Sequence, residues 1–327
     1  MKKNIGIICG GYTSEQEISK KSGKVVFDSI QALDYFSYLI DLDKNTSSVV
    51  DQKGDTYPLN EVTFSFEKEG ETVHFDMIIN MIHGAPGENG ILAEKFENLG
   101  ITHSSCRPVQ AALTYDKYAC LEAVSKLGIP TAKRLRLKIS DTPDIDGIIE
   151  QLGIPCFVKA NRSGSSFGVY KVNDKKGLSV AISNAFKEDD ELVIERALEG
   201  REITVGVLEW KGKLTVLPIT EVTTENDFFD YEAKYEGKSE EITPAKIPIE
   251  WKEKAEEMAK KIYKGLHLSG ITRSEFIFQE GIPHFLEVNT IPGMTKESII
   301  PQQAKAAGIS LPELLEGVIQ TGLIKKV

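Results

Sequence analysis

Two segments that share one order of features, an apolar strand, a glycine turn and a helix, constrain the fold of this chain most. "NIGIICGG" at residues 4–11 is typical of a buried strand ending in glycines, and "SEQEISKKSGKVVFDSI" at 14–30 of an amphipathic helix. "HFDMIINMIHG" at 74–84 and "NGILAEKFENLG" at 89–100 repeat that order. Strands and helices in alternation form a parallel sheet covered by helices. The chain is therefore predicted to begin with a small doubly wound α/β domain.

The first helix carries a sequence signal for its own start. Ser14 and Glu17 match the S-x-x-E capping box, in which the two residues satisfy each other's backbone N–H groups. Glu15 then falls in the first turn, where the helix dipole favours a carboxylate. The helix is predicted to start at Ser14.

The rest of the chain reads as further strands and helices. "PCFVKA" at 155–160 and "VYKV" at 169–172 are predicted strands, and the Ser/Gly-rich "NRSGSSFG" between them a mobile hairpin loop. "EITVGVLEW" at 202–210 and "LTVLPITEV" at 214–222 are predicted as two long strands. A long amphipathic helix, another hairpin and two final helices follow.

Composition excludes several classes of protein. A chain of 327 residues suggests two or three domains, and a net charge of −10 disfavours general binding to nucleic acid or anionic membranes. The four cysteines form no C-x-x-C pair, which argues for a reducing compartment and against a zinc site. The apolar run after Lys2 and Lys3 is too short for a signal peptide, and no transmembrane segment is recognisable. We expect a cytoplasmic protein.

The predicted hairpin at residues 273–289 carries polar side chains on one face. If its loop is the three residues 280–282, Glu275 lies opposite Glu287 and Arg273 opposite Asn289. Facing carboxylates repel each other unless a cation lies between them, and such oxygen ligands suit Mg²⁺. A solvated face crossed by Arg273 is the alternative. The abrupt Pro-Gly turn at 292–293 disfavours that alternative.

Other segments suggest a nucleotide site. Glycines and serines in the loop 161–168 could offer backbone N–H and hydroxyl donors to phosphates, although a plain flexible hairpin is the alternative. Its G-x-S-x-G pattern does not fit a hydrolase elbow, because a strand follows rather than a helix. Glu195, Leu198 and Glu202 follow a strand, where backbone groups could contact adenine. Four aromatic residues in the polar stretch 227–237 suggest a lid. His83 ends a strand and could equally be a capped core residue.

Seven segments, in this order, resemble the D-alanine–D-alanine ligase family of the ATP-grasp superfamily. They are "GGYTSEQEIS", "HGAPGENG", Asp116-Lys117, "VKANRSGSSFGV", "IERALEGRE", "DYEAKY" and "EVNTIPGMT". The resemblance covers essentially the whole chain. It implies the ATP-grasp fold with three domains, at residues 1–105, 106–194 and 195–327, and a nucleotide bound between the central and C-terminal domains.

The resemblance also implies a reaction and its partners. ATP would convert one D-alanine to an acylphosphate, and the amine of a second D-alanine would attack it, giving D-alanyl-D-alanine for peptidoglycan synthesis. Two Mg²⁺ ions, for which Mn²⁺ can substitute, would assist as cofactors. The protein is expected to be a homodimer that binds neither nucleic acid nor membrane.

The resemblance assigns residues to three parts of the site. The implied ATP contacts are Lys117, Lys159, Ser166, Glu195, Arg196, Leu198, Glu202, Lys234 and Ile277. The implied metal ligands are Glu275, Glu287 and Asn289. The implied catalytic and substrate residues are Glu15, His83, Ser165, Tyr235, Arg273, Gly293, Ser298 and Ile299. Among them, Glu15 would bind the ammonium group of the first D-alanine, and Arg273 and Gly293 would stabilise the oxyanion. Ser165 and Tyr235 would fasten the lid.

Two other functions are alternatives to this one. A ligase of the same superfamily that makes a D-lactate ester or uses D-serine would differ in the lid, where Tyr235 resembles the dipeptide-forming type. A non-catalytic nucleotide-binding regulator would have lost site residues such as Lys117 or Lys159, and both are present.

The chain departs from the family pattern at four positions. They are Glu275 for the usual Asp, Arg196 for Lys, Ala197 for a larger residue, and Cys106 in a turn that usually contains glycine. The first puts the metal geometry in doubt, and the next two predict a looser adenine pocket. None of the four removes a catalytic group.

Overall fold

Residues 2–224 and 239–325 are described by a computed structural model of the chain. They form three main β-sheets with helices packed against them, a mixed α/β architecture. The expected lid, with Lys234 and Tyr235, lies outside the described residues.

The first sheet has the strand order β4-β3-β2-β1-β7-β8. The four neighbouring strands β2, β1, β7 and β8 are parallel to one another, which confirms the parallel sheet predicted from the sequence. A separate two-stranded sheet, β5-β6, lies beside it. The elements of this part are β1 (Asn4–Gly10), α1 (Gln16–Ile30), β2 (Phe36–Leu42), β3 (Ser48–Asp51), β4 (Thr56–Pro58), β5 (Ser65–Lys68), β6 (Glu71–His74), β7 (Met77–Asn80), α2 (Ile91–Asn98) and β8 (Thr102–His103).

Helix α1 starts two residues later than the sequence predicts. It begins at Gln16, Glu15 occupies the N-cap position, and no side chain caps the helix. The predicted capping box of Ser14 and Glu17 is therefore wrong, because Ser14 lies outside the cap. The chain before α1 instead bends through Thr13, whose hydroxyl accepts a hydrogen bond from the Glu15 backbone N–H at 3.3 Å. The Glu15 side chain makes no capping hydrogen bond to α1.

The second sheet is antiparallel, with the order β11-β10-β12-β9. β10 and β11 pair as the predicted hairpin, with the serine loop, residues 161–168, between them. The elements here are α3 (Pro108–Tyr115), α4 (Lys117–Lys126), β9 (Arg134–Lys138), α5 (Ile145–Leu152), β10 (Cys156–Ala160), β11 (Val169–Val172), α6 (Lys175–Ala185) and β12 (Glu191–Arg196).

The third sheet has the order β16-β15-β13-β17-β18, with β14 also paired to β13. The predicted long strand at 214–222 is in fact two strands, β14 and β15, which both pair with β13 and are separated by residues 217–219, where Pro218 has no N–H for a sheet ladder. The elements are β13 (Arg201–Trp210), β14 (Lys213–Val216), β15 (Thr220–Thr224), β16 (Ser239–Ile242), α7 (Ile249–Gly265), β17 (Ile271–Gln279), β18 (Ile282–Asn289), α8 (Ile299–Ala306) and α9 (Leu311–Lys325).

The hairpin of β17 and β18 pairs Glu275 with Glu287 as predicted, but its turn and its strand pairing differ from the prediction. Its turn is the two residues Glu280 and Gly281, both with positive φ as a type I′ turn requires, so the three-residue loop is wrong. An irregularity after Glu275 then shifts the pairing by one residue. Glu275 consequently lies opposite Glu287, as the sequence predicts.

Helix α9 returns to the first sheet. Its residues Leu314, Leu315, Val318 and Ile319 are buried in one apolar cluster with side chains of β1, α1 and β7. The Tyr35 hydroxyl donates a hydrogen bond to Glu316 of α9 at 3.0 Å. The last described helix therefore completes the apolar core of the first sheet. No helix within residues 2–224 and 239–325 is long and apolar enough to span a bilayer.

Candidate active site

A cavity of about 500 Å³ lies where loops of the first sheet meet the second and third sheets. Every site residue implied by the sequence that the structure describes lines this cavity: Glu15, His83, Lys117, Lys159, Ser165, Ser166, Glu195, Arg196, Leu198, Glu202, Arg273, Glu275, Ile277, Glu287, Asn289, Gly293, Ser298 and Ile299. Residues almost 300 positions apart therefore face one space. Lys234 and Tyr235 are outside the described residues.

One wall of the cavity combines a buried lysine with a buried glutamate. Lys159 on β10 donates to Oε2 of Glu195 on β12 at 2.6 Å. Burial alone would lower the pKa of Lys159, but the charge and hydrogen bond of Glu195 raise it above its usual value, so the lysine stays cationic. The other oxygen of Glu195, Oε1, is buried without a hydrogen-bond partner among the described residues. It is an acceptor for a donor that a ligand could bring.

The first residue of α4, Lys117, joins three parts of the site. The Asp116 side chain caps the helix by accepting from Ala119 N–H at 2.8 Å. Asn161, at the base of the serine loop, accepts from the Lys117 backbone N–H at 3.1 Å through its carbonyl. The Lys117 ammonium donates to the Ser163 carbonyl and lies 3.8 Å from Oε2 of Glu287. The amine is therefore held between the serine loop and the β17–β18 hairpin.

The serine loop folds onto Glu15. Ser165 Oγ donates to Oε1 of Glu15 at 2.5 Å. Ser165 and Ser166 have φ of 49° and 62°, a left-handed conformation that residues with a side chain seldom adopt and that is common at functional sites. A Cβ at Gly164 would lie 2.7 Å from each carboxylate oxygen of Glu15, so only glycine fits there without displacement. Loop and carboxylate are thus in direct contact over the cavity.

The β17–β18 hairpin brings oxygen ligands together. Glu275 is 4% exposed, and its Oε1 lies 2.8 Å from Arg273 Nη1 and accepts from Asn289 Nδ2 at 3.4 Å. The described ranges contain no group of three or more His, Cys, Asp or Glu that could hold a metal. Two carboxylates and an amide still fit Mg²⁺, because this ion commonly uses one or two carboxylates and completes its shell with water and substrate phosphates.

Comparisons with known proteins identify the family. Residues 4–106 match the family model described as "D-ala D-ala ligase N-terminus", and residues 123–320 the model described as "D-ala D-ala ligase C-terminus". The D-alanine–D-alanine ligase of Flavobacterium johnsoniae is 47% identical over 321 residues, which cover 98% of this chain and 99% of that protein. The chain belongs to the D-alanine–D-alanine ligase family.

Solved structures of ligases extend this result to the fold. D-alanyl-alanine synthetase A from Vibrio cholerae superposes with a TM-score of 0.87 at 27% identity, covering 99% of both chains. The D-alanine–D-alanine ligase of Bacillus anthracis complexed with ATP gives a TM-score of 0.81 at 29% identity, covering 99% of this chain and 98% of that one. The ligase family shares the ATP-grasp fold, and this chain has it.

His83 is a buried residue that lines the cavity. Its Nε2 lies 3.5 Å from Ser22 Oγ, and its backbone N–H donates to Ser19 Oγ at 3.0 Å. Burial lowers the pKa of His83 to about 4, a hydrogen bond with the Ile291 backbone opposes that shift, and the charge of Arg273 adds to it. The histidine is therefore uncharged at neutral pH.

Three carboxylates that line the cavity, those of Glu88, Glu241 and the exposed Glu297, are not among the residues selected from the sequence. Glu88 accepts a hydrogen bond from Gly84 N–H at 2.8 Å. Burial, followed by the charge of Glu15, raises the pKa of Glu88 to about 8. Its signal in the sequence is its place in the matched segment "HGAPGENG". Glu241 carries no such signal, because it lies in a polar stretch without periodicity.

Proposed function

We propose that this chain joins two D-alanine molecules into D-alanyl-D-alanine while ATP is converted to ADP and phosphate, as a step of peptidoglycan synthesis. One observation carries the proposal. Lys117 and Lys159, which are expected to contact ATP, line the same cavity as Glu15, which is expected to bind the first D-alanine, in a chain that matches the ligase family over its length.

The nucleotide contacts follow from the charges of the cavity. We assign the phosphates of ATP to Lys117 and Lys159, the cations that meet the hairpin carboxylates and Glu195. The partnerless Oε1 of Glu195 suits the exocyclic amine of adenine, and Arg196 and Leu198 continue that edge of the pocket. Glu202 and Ile277 are register partners, which supports a joint contact to ribose and base. Ser166 lies in the loop that would close over the phosphates.

The reaction needs activation because a carboxylate is a poor acyl donor. The carboxylate of the first D-alanine attacks the γ-phosphorus and ADP leaves, giving D-alanyl phosphate. The amine of the second D-alanine then attacks the acyl carbon, phosphate leaves, and the amine loses a proton. We assign the first ammonium to Glu15, the developing oxyanion to Arg273 and the Gly293 N–H, and the second substrate to Ser298 and Ile299.

Several residues prepare the site without entering that bond chemistry. Glu275, Glu287 and Asn289 would hold the two magnesium ions, which neutralise phosphate charge when bound. Ser165 keeps the serine loop on Glu15, and a closed loop excludes water from the acylphosphate. Neutral His83 adds no positive charge beside the first ammonium.

We also propose the domain boundaries near residues 105 and 194, a homodimer, and a cytoplasmic location without nucleic-acid or membrane partners. The three sheets, which fall largely within those ranges, support the boundaries. The four cysteines are buried and free, which supports a reducing compartment.

The function is tested by product analysis. The chain with ATP, Mg²⁺ and D-alanine should form equal amounts of D-alanyl-D-alanine, ADP and phosphate, and little product with L-alanine. Lys159→Met should abolish the reaction, whereas Lys138→Met, on the exposed edge of the same sheet, should not. ADP formation without dipeptide, or a D-lactate ester as the main product when both acceptors are offered, would contradict the proposal.

A further inference from the structure

The strand β16 presents an unassigned carboxylate to the cavity. Glu241 lies directly opposite Val222 in the β15–β16 pair, and Val222 packs against Ile299, the first residue of α8. Directly opposed residues of an antiparallel pair project from the same face of the sheet. The Glu241 side chain therefore faces the start of α8, where it lines the cavity.

A second residue of α8 fixes the position of this carboxylate. Gln302 Nε2 donates to Oε2 of Glu241 at 2.5 Å and to the Glu297 carbonyl at 2.7 Å. The amide is thus anchored to the backbone while it holds the carboxylate. Across residues 2–224 and 239–325, the other oxygen of Glu241, Oε1, has no hydrogen-bond partner. One oxygen is positioned and the other remains able to accept.

The charge of Glu241 is balanced differently from that of three other carboxylates of the cavity. Glu195, Glu275 and Glu287 have a lysine or arginine nitrogen at 2.6, 2.8 and 3.8 Å, respectively. Glu241 has none within 4 Å in the described part of the chain, and its contact is the neutral amide of Gln302. Burial raises the pKa of Glu241, and the hydrogen bond from Gln302 and then the charge of Arg273 act against that shift. A cation supplied by a ligand would therefore be stabilised beside it.

We propose that Glu241 binds the ammonium group of the second D-alanine and so favours an amino acid over a hydroxy acid as the acceptor. The inference rests on the proposed function, in which Ser298 and Ile299 lie beside this substrate. The N-terminal end of α8 attracts the acceptor's carboxylate. The ammonium, two bonds from that carboxylate carbon, then lies towards Glu241, and the hydroxyl of a hydroxy acid has no charge to pair with it.

The test separates the acceptor from the rest of the reaction. Glu241→Gln keeps the shape and the Gln302 contact partner but removes the charge. We expect the KM for D-alanine as acceptor to rise about tenfold, the effect of losing a charge-assisted hydrogen bond. The KM values for ATP and for the first D-alanine should stay within twofold. The use of D-lactate relative to D-alanine should increase.

Hydroxylamine can replace the second D-alanine as the nucleophile, so that formation of the acylphosphate is measured without an ammonium group on the acceptor. Its nitrogen is largely uncharged at neutral pH and attacks an acylphosphate directly, giving D-alanyl hydroxamate and phosphate. Hydroxamate formation from ATP and one D-alanine should be equal in wild type and Glu241→Gln. Absence of hydroxamate and dipeptide from wild type would refute the proposed function itself, whereas equal hydroxamate with an unchanged acceptor KM would refute only the role of Glu241.

Two further variants control for structure. Glu240→Gln changes the preceding carboxylate, which is exposed, and should leave the acceptor KM unchanged. Gln302→Leu removes the amide that positions Glu241 and should give a smaller rise in the same constant. An equal rise in Glu240→Gln, or an unchanged KM in Gln302→Leu, would overturn the assignment even if Glu241→Gln failed to fold.

Discussion

Gly164→Ala tests the contact between the serine loop and Glu15 with the addition of a single methyl group. The new Cβ would lie 2.7 Å from both oxygens of the Glu15 carboxylate, well inside van der Waals contact. The backbone at Gly164 does not have a positive φ, so alanine is tolerated there apart from this clash. The loop must therefore retreat, and the Ser165–Glu15 hydrogen bond of 2.5 Å must lengthen or break.

The expected size follows from the bond that is lost. A hydrogen bond to a charged group contributes about 1.5–3 kcal/mol. Since about 1.4 kcal/mol corresponds to a tenfold change, kcat/KM for D-alanine should fall about 10-fold to 150-fold. The loop would also close less completely, so hydrolysis of the acylphosphate should increase. Phosphate released per dipeptide formed should then rise above one, and both quantities come from one coupled assay of phosphate and dipeptide.

Matched variants make the result interpretable. Ser165→Ala removes the hydrogen bond without a clash and should reproduce most of the loss. Gly177→Ala, in helix α6 of the same sheet layer, meets its nearest neighbour, Asp174, at 3.5 Å, an ordinary contact, and should leave kcat/KM unchanged. A value for Gly164→Ala within twofold of wild type would show that the loop does not need to touch Glu15 during turnover, and the reasoning above would be wrong.

Three other perturbations test separate parts of the site. Glu287→Gln should lower kcat by about 100-fold or more through lost electrostatic stabilisation while the protein stays folded, and near-normal turnover at saturating Mg²⁺ would reject the metal assignment. Trypsin cleavage after Arg162, which pairs with Asp189 at 2.7 Å, should slow when an ATP analogue and D-alanine are both bound; equal rates would mean that the loop does not close. Because the folded pKa of His83 is depressed from 6.5 to about 4, the unfolded chain binds its proton first, and stability should fall as pH drops through that window. At pH 5 the loss should be about 2 kcal/mol, and His83→Asn should flatten the dependence of Tm on pH.

The sequence predicted the ligase-type cavity better than it predicted the local geometry that forms it. Glu275 and Glu287 do face each other, yet by a two-residue turn and a one-residue irregularity rather than by a three-residue loop. Alternation of apolar residues fixes which face a side chain occupies, but it does not reveal where an extra residue enters a strand. The error in the length of the turn and the error in the strand pairing therefore cancel at Glu275 and Glu287.

Where a prediction from the sequence is wrong, contacts between distant residues determine the local structure instead of the local pattern. The capping box at Ser14 was displaced because Glu15 is turned towards the serine loop, a contact across 150 positions that no local pattern contains. The predicted strand at 214–222 is interrupted at residues 217–219, where Pro218 has no N–H to donate to the neighbouring strand. Glu241 has no signal in the sequence, because an isolated acidic residue in a polar segment looks like an ordinary surface residue until the fold brings it to the cavity.

The packing of helix α9 has a consequence for synthesis of the chain on the ribosome. Ile5, Ile7 and Met77 emerge early, but the side chains that cover them, Leu315 and Ile319 among others, are made more than 200 residues later. Until then the nascent first sheet carries an uncovered apolar surface. A chain that stops before residue 311 should retain that surface permanently, bind chaperones and aggregate, even though every residue of its cavity has been translated.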